Sequence, residues 1–69
     1  MKNELHIKFG KRVRELRKER GWSQEEFADR CGLDRTYVSG IERGVRNPTL
    51  GIIGMISAGL NVEICVLFY

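Results

Sequence analysis

Arg35 and Thr36 are adjacent, Ser39 follows them four and three residues on and Arg43 four later, so a helix through them carries all four on its polar side. Their chemistry is hydrogen bonding rather than bond making. An arginine fork can pair bidentately with O6 and N7 of guanine, and a threonine methyl can rest on a thymine methyl while its hydroxyl bonds elsewhere. Ser39 and Gly40 are small, which would let such a helix sit close to a groove floor. Arg43 and Arg46 come at and beyond its end, better suited to phosphates or a groove edge. Gln24 falls on the first turn of a preceding helix. There its amide could donate to a phosphate beside the positive end of the helix dipole. The pattern points to double-stranded DNA, with Arg35, Thr36 and Ser39 reading bases and Gln24, Arg43 and Arg46 holding the backbone or groove edge.

Two short helices must hold these side chains. In SQEEFADRCGLDRTYVSGIERG, Ser23 can cap a helix while Glu26 closes a capping box three residues on. Trp22 and Phe27 form a hydrophobic staple across that cap, and Gly32 ends the helix. Asp34 starts the next one, with Leu33 and Val38 as a second staple, and Gly44 stops it. Glu42 needs a partner, since a bare carboxylate at the end of a reading helix would repel phosphates. Arg17 on the helix before is the expected one, giving a structural ion pair that ties the first helix to the third.

Around this pair the chain reads as all-α, with five short helices near 7–20, 23–31, 34–43, 48–58 and 62–68. Phe9, Val13 and Leu16 make the apolar stripe of the first, and residues 1–6 are expected to be weakly ordered. Asn47 and Pro48 suit the cap and first position of the fourth helix, whose inward stripe would be Leu50, Ile53, Ile56 and Leu60. Gly51, Gly54 and Gly59 make that helix poor by propensity. The ending VEICVLFY could be an edge strand by composition, but a lone strand would lack a partner, so a fifth helix is preferred.

Sixty-nine residues form a single domain, and a chain this short buries only about 60% of its unfolded surface. A second copy would help it. Leu60, Ile64, Leu67 and Phe68, with Ile52 and Met55, supply more apolar surface than so small a core can cover, which predicts a homodimer through the region after Pro48. The net charge of +3 hides an asymmetry: all twelve Lys and Arg precede residue 49, and Glu63 is the only charge after it. Cys31, Cys65 and His6 are too few and too scattered for a zinc site, so no metal or cofactor is expected. No paired carboxylate, phosphate loop or nucleophile with a base is present, so an enzyme is not expected either. No apolar run approaches about 18 residues, which predicts neither membrane association nor a signal peptide, and a cytoplasmic location.

The stretch RELRKERGWSQEEFADRCGLDRTYVSGIERGVRNP resembles the lambda-repressor-like (Cro/xenobiotic-response-element) helix-turn-helix family, and most closely the controller proteins of bacterial restriction–modification systems. The resemblance covers about residues 8–68. It implies a five-helix, DNA-binding transcriptional regulator with its helix-turn-helix at helices two and three, homodimeric and acting at palindromic operators. It assigns Gln24 to a phosphate, Arg35, Thr36 and Ser39 to bases, and Arg43 and Arg46 to groove and backbone, and it supports the Arg17–Glu42 tie. Such a regulator would act on its own promoter by occupying it or by helping RNA polymerase there, with no small-molecule effector. The competing reading is an antitoxin-like or other protein-interaction module that uses the same fold.

Overall fold

The computed structural model describes residues 4–69, which form four α-helices and a closing 3-10 helix, with no strand among them. The order is α1 (Glu4–Glu19), α2 (Gln24–Cys31), α3 (Arg35–Glu42), α4 (Leu50–Leu60) and the 3-10 helix (Ile64–Phe68). Phe9, Val13 and Leu16 of α1 meet Phe27, Ala28 and Cys31 of α2, Val38 and Ile41 of α3, Ile56 and Leu60 of α4, and Leu67 in one buried cluster.

Helix α1 begins at Glu4, three residues before the expected start. An acidic residue favours a helix N-terminus, and the extra turn lets Ile7 pack on Gly44, where an added Cβ would come 2.8 Å from the Ile7 Cα. The expectation of weak order therefore fails for residues 4–6, and for 1–3 it lies outside the described residues. Gly10 is where α1 crosses α3. A Cβ there would stand 2.2 Å from the Ile41 carbonyl oxygen, so only glycine permits this approach.

Local signals set α2 and α3. The Ser23 hydroxyl accepts from the Glu26 N–H at 3.0 Å, and the Glu26 carboxylate accepts from the Ser23 N–H at 3.0 Å. The Asp34 carboxylate accepts from the Thr36 N–H at 2.8 Å and starts α3. Trp22 stacks on Phe27 with ring centroids 6.3 Å apart.

Helix α4 departs from expectation at its start. Its cap is Thr49, whose hydroxyl accepts from the Ile52 N–H at 3.2 Å, so Asn47 and Pro48 lie ahead of the helix rather than in it. The hydroxyl satisfies one of the orphan donors of this first turn. Leu50 is then the first helical residue and is 85% exposed, not inward-facing. The buried residues of α4, Ile56, Ser57 and Leu60, all lie in its second half, where the helix enters the core most deeply, and Ile52 and Ile53 pack half-buried against it. Gly59 permits that entry: a Cβ there would meet the Cys31 Sγ at 2.4 Å.

The expected fifth α-helix is a five-residue 3-10 helix. Arg12 donates from Nε to the Val66 carbonyl at 2.9 Å, and Phe9 and Phe68 pack with centroids 5.3 Å apart. These contacts hold the segment against α1 and seat Leu67 in the core. Leu60 and Leu67 are both fully buried. They belong to the core of this chain and offer no surface to a second copy, which corrects their expected interface role.

Candidate nucleic-acid interface

The turn Gly32–Asp34 sets α3 beside α2, with Leu33 donating its N–H to the Ala28 carbonyl at 2.9 Å. The capping box uses the N–H groups of Ser23 and Glu26. Those of Gln24 and Glu25 remain as the first helical donors, without an intrahelical acceptor. The N–H of Ser23 holds the Glu26 carboxyl below its usual range, with the Ser23 hydroxyl and Arg30 acting in the same direction.

Beside this helix start lies a buried polar junction. Arg17 on α1 donates from Nε to Glu42 Oε2 at 2.7 Å, from Nη2 to Glu42 Oε1 at 2.9 Å, and from Nη1 to the Trp22 carbonyl at 2.8 Å. Both residues are 8% exposed. The hydrogen bond to Glu42 raises the Arg17 pKa against the opposing effect of burial. Gln24 completes the junction, donating from Nε2 to Glu42 Oε1 at 3.1 Å. No buried side-chain nitrogen or oxygen among the described residues lacks a partner, as a buried polar group requires.

Above the junction opens a shallow cleft of about 350 Å³ lined by Arg14, Arg17, Gln24, Ser39, Glu42 and Arg43. It brings Gln24 at the start of α2 together with Ser39 and Arg43 at the end of α3. Arg43 folds back along its helix, donating from Nε to the Ser39 carbonyl at 3.3 Å. Arg35 and Thr36 lie exposed on the first turn of α3, outside this cleft. Sequence reasoning missed Arg14. Its signal is its position three residues before Arg17, which puts both on neighbouring turns of α1.

Arg46 takes an unexpected course. Its guanidinium carbon lies 5.3 Å from the centre of the Tyr37 ring, and a Cβ on Gly40 would meet the Arg46 Cγ at 2.6 Å. Gly40 is buried beneath this arginine and is not the open floor of a reading helix. Between them stands a left-handed Gly44, with its N–H on the Ile41 carbonyl and the Val45 N–H on the Gly40 carbonyl, each at 3.0 Å. This is the Schellman ending, which commonly brings an apolar contact between the Val45 and Gly40 positions. Gly40 has no side chain to offer, and Val45 is left 60% exposed beside Arg46.

The remaining expected positions fall elsewhere. Ile64 and Phe68 are 50% and 45% exposed, Met55 is exposed and Ile52 is half-buried. Cys31 is buried, which pushes its thiol up to about 11, and Cys65 is exposed. Among the described residues no group of three or more His, Cys, Asp or Glu could hold a metal, and no helix is long and apolar enough to cross a membrane.

Residues 13–67 match the family model described as helix-turn-helix. The control protein C.MunI of a Mycoplasma species is 48% identical over 67 residues, which is 96% of this chain and 90% of that protein. The control protein C.BamHI of Bacillus amyloliquefaciens is 45% identical over 64 residues, covering 91% of this chain and 79% of the relative. Among solved structures, the restriction-modification controller protein C.AhdI from Aeromonas hydrophila superimposes with a TM-score of 0.93 at 47% identity, over 96% of this chain and all of that one. Matched nearly end to end at such identity, this chain belongs to the helix-turn-helix family and, within it, to the restriction–modification controller proteins.

Proposed function

We propose that this chain is a sequence-specific DNA-binding regulator of transcription in a restriction–modification system, working as a cytoplasmic homodimer on a palindromic operator at its own promoter. The observation that carries the reading is the cleft that gathers Gln24, Ser39 and Arg43 over the buried Arg17–Glu42 pair. In it a phosphate donor and Ser39, on the base-reading helix whose first turn carries Arg35 and Thr36, share one support. Helices α2 and α3 form the helix-turn-helix. Arg35, Thr36 and Ser39 read base edges in the major groove, and Gln24, Arg43 and Arg46 hold phosphates or the groove edge.

The same domain dimerises through its C-terminal region. Ile64, Phe68, Met55 and Ile52 offer apolar surface there, which supports a two-fold partner. Two reading helices so related would stand about 34 Å apart, facing successive major grooves. Dimer concentration sets occupancy, without a small-molecule effector, and the bound dimer blocks RNA polymerase or assists it.

Selection of duplexes from a random pool tests this reading. The parent protein should enrich a palindrome, and Arg35→Ala should relax one position in each half-site, at a cost of about 1–3 kcal/mol there. Unchanged preference in the variant would remove Arg35 from the reading role. If the parent enriches no palindrome, the protein-interaction reading gains instead. Ile64→Glu should shift the sedimenting species towards monomer, and a dimer unaffected by it would move the interface elsewhere.

A further inference from the structure

We propose that Glu42 is a positioning residue for DNA binding, orienting the Gln24 amide so that it meets a phosphate with a donor. The inference rests on the DNA-binding reading above and adds a role that the ion pair alone does not require.

Glu42 is the last residue of α3, and its side chain is 3% exposed. As a carboxylate it accepts hydrogen bonds and donates none. Its Oε1 already takes Arg17 Nη2 at 2.9 Å and takes Gln24 Nε2 at 3.1 Å. A primary amide has two faces, one nitrogen and one oxygen, and only the nitrogen can turn towards this acceptor. The reversed amide would set two acceptor oxygens against each other in a partly desolvated place, where such a mismatch is most unfavourable.

The amide nitrogen carries two hydrogens. One is engaged by Glu42, and the second remains for an anion on the cleft side. Arg17 offsets the carboxylate charge, so a phosphate can approach Gln24 without meeting a bare anion. Arg17 also holds the Trp22 carbonyl at 2.8 Å, two residues before Gln24. From the end of the reading helix, the carboxylate thus holds the side chain on the first turn of α2 directly, and it holds the Arg17 that ties the backbone leading into α2. The phosphate donor and the base-reading face move as one unit. A side chain held in its bound conformation loses less freedom on association.

A double-mutant cycle on the duplex selected from the random pool tests this role. Parent, Gln24→Ala, Glu42→Gln and the double variant are compared by fluorescence anisotropy at one salt concentration, at a temperature where circular dichroism shows all four folded. Each single change should weaken binding by roughly threefold to tenfold, on selected and random duplexes alike. The loss in the double variant should fall well short of the product of the two single losses, because part of the effect of Glu42 passes through Gln24. If the two losses multiply, Glu42 has no positioning role, even though the DNA-binding reading stands. A parent that selects no duplex strikes that reading itself. Side-chain amide signals of Gln24 in the free parent protein decide the matter even if Glu42→Gln fails to fold. They should show a restricted amide with one shifted proton, and an amide as mobile as an exposed glutamine overturns the proposal.

Discussion

Between α1 and α3 lies a buried guanidinium–carboxylate pair with a third partner on α2, whereas α4 and the 3-10 helix carry no charge of their own. Within α4 the polar side-chain ties are local, from Thr49 and Ser57, and two arginines from the first part of the chain reach across to the second region. Arg20 donates from Nη2 to the Leu60 carbonyl at 2.9 Å, and Arg12 from Nε to the Val66 carbonyl at 2.9 Å. Leu60 ends α4, where no intrahelical donor remains, and Val66 is the middle residue of the 3-10 helix. Arginines of the first helix and of the turn after it therefore help to hold the C-terminal part of the chain. The first region carries a buried polar lock between helices, whereas the second is joined to the rest by close packing at Gly59 and by donors from outside it.

The largest expected effect lies in the first region. Arg17→Ala strands a buried carboxylate and should destabilise the fold by about 3–5 kcal/mol in urea titrations. A loss below about 1 kcal/mol would mean that Glu42 finds water or another donor, and the contrast between the regions would weaken. In the second region Gly59→Val should cost about 1–3 kcal/mol or more, because its Cβ would stand 2.4 Å from the Cys31 Sγ. The same titration checks it, and a neutral result would show that α4 can slide on α2.

Caps should matter less than either. Ser23→Ala should cost about 1 kcal/mol by removing one half of the capping box. The other half is pH-dependent. The folded Glu26 pKa lies below its ordinary value, so its contribution is complete above the ordinary carboxyl range and fades as pH falls through the folded value. Glu26→Gln should therefore be less stable than the parent at neutral pH, with the difference closing in acid. A gap that persists under acid would assign it to something other than the carboxylate.

The smallest change should stabilise. Nothing lies within 4 Å of a Cβ built on Gly54, so Gly54→Ala should add about 0.5–1 kcal/mol through helix propensity. Thermal unfolding measures the gain and sedimentation the assembly. If the alanine stabilises the monomer and loosens the dimer, the open side of α4 is part of the interface. If it leaves the dimer untouched, the contact centres on the 3-10 helix.

Much of this was legible in the residues alone, and the reason is local. Ser23 with Glu26, Asp34 before Arg35 and glycines at 32 and 44 act within four residues of chain, so α2 and α3 were bounded almost to the residue. The apolar stripe of α1 and the pairing of Arg17 with Glu42 followed from helical spacing and from the need to neutralise a carboxylate. What tertiary structure alone decided concerns what stands opposite each residue. Gly40 reads as open surface until Arg46 is found lying across it, and Leu60 and Leu67 read as spare apolar surface until the core closes on them. Thr49 rather than Asn47 starts α4, Leu50 faces outward, and the helix is most deeply buried where Gly59 meets Cys31. Caps, turns and amphipathic period are properties of neighbours in sequence. Burial, close approach and the choice between core and interface depend on residues distant in sequence, and only the packed chain brings those together.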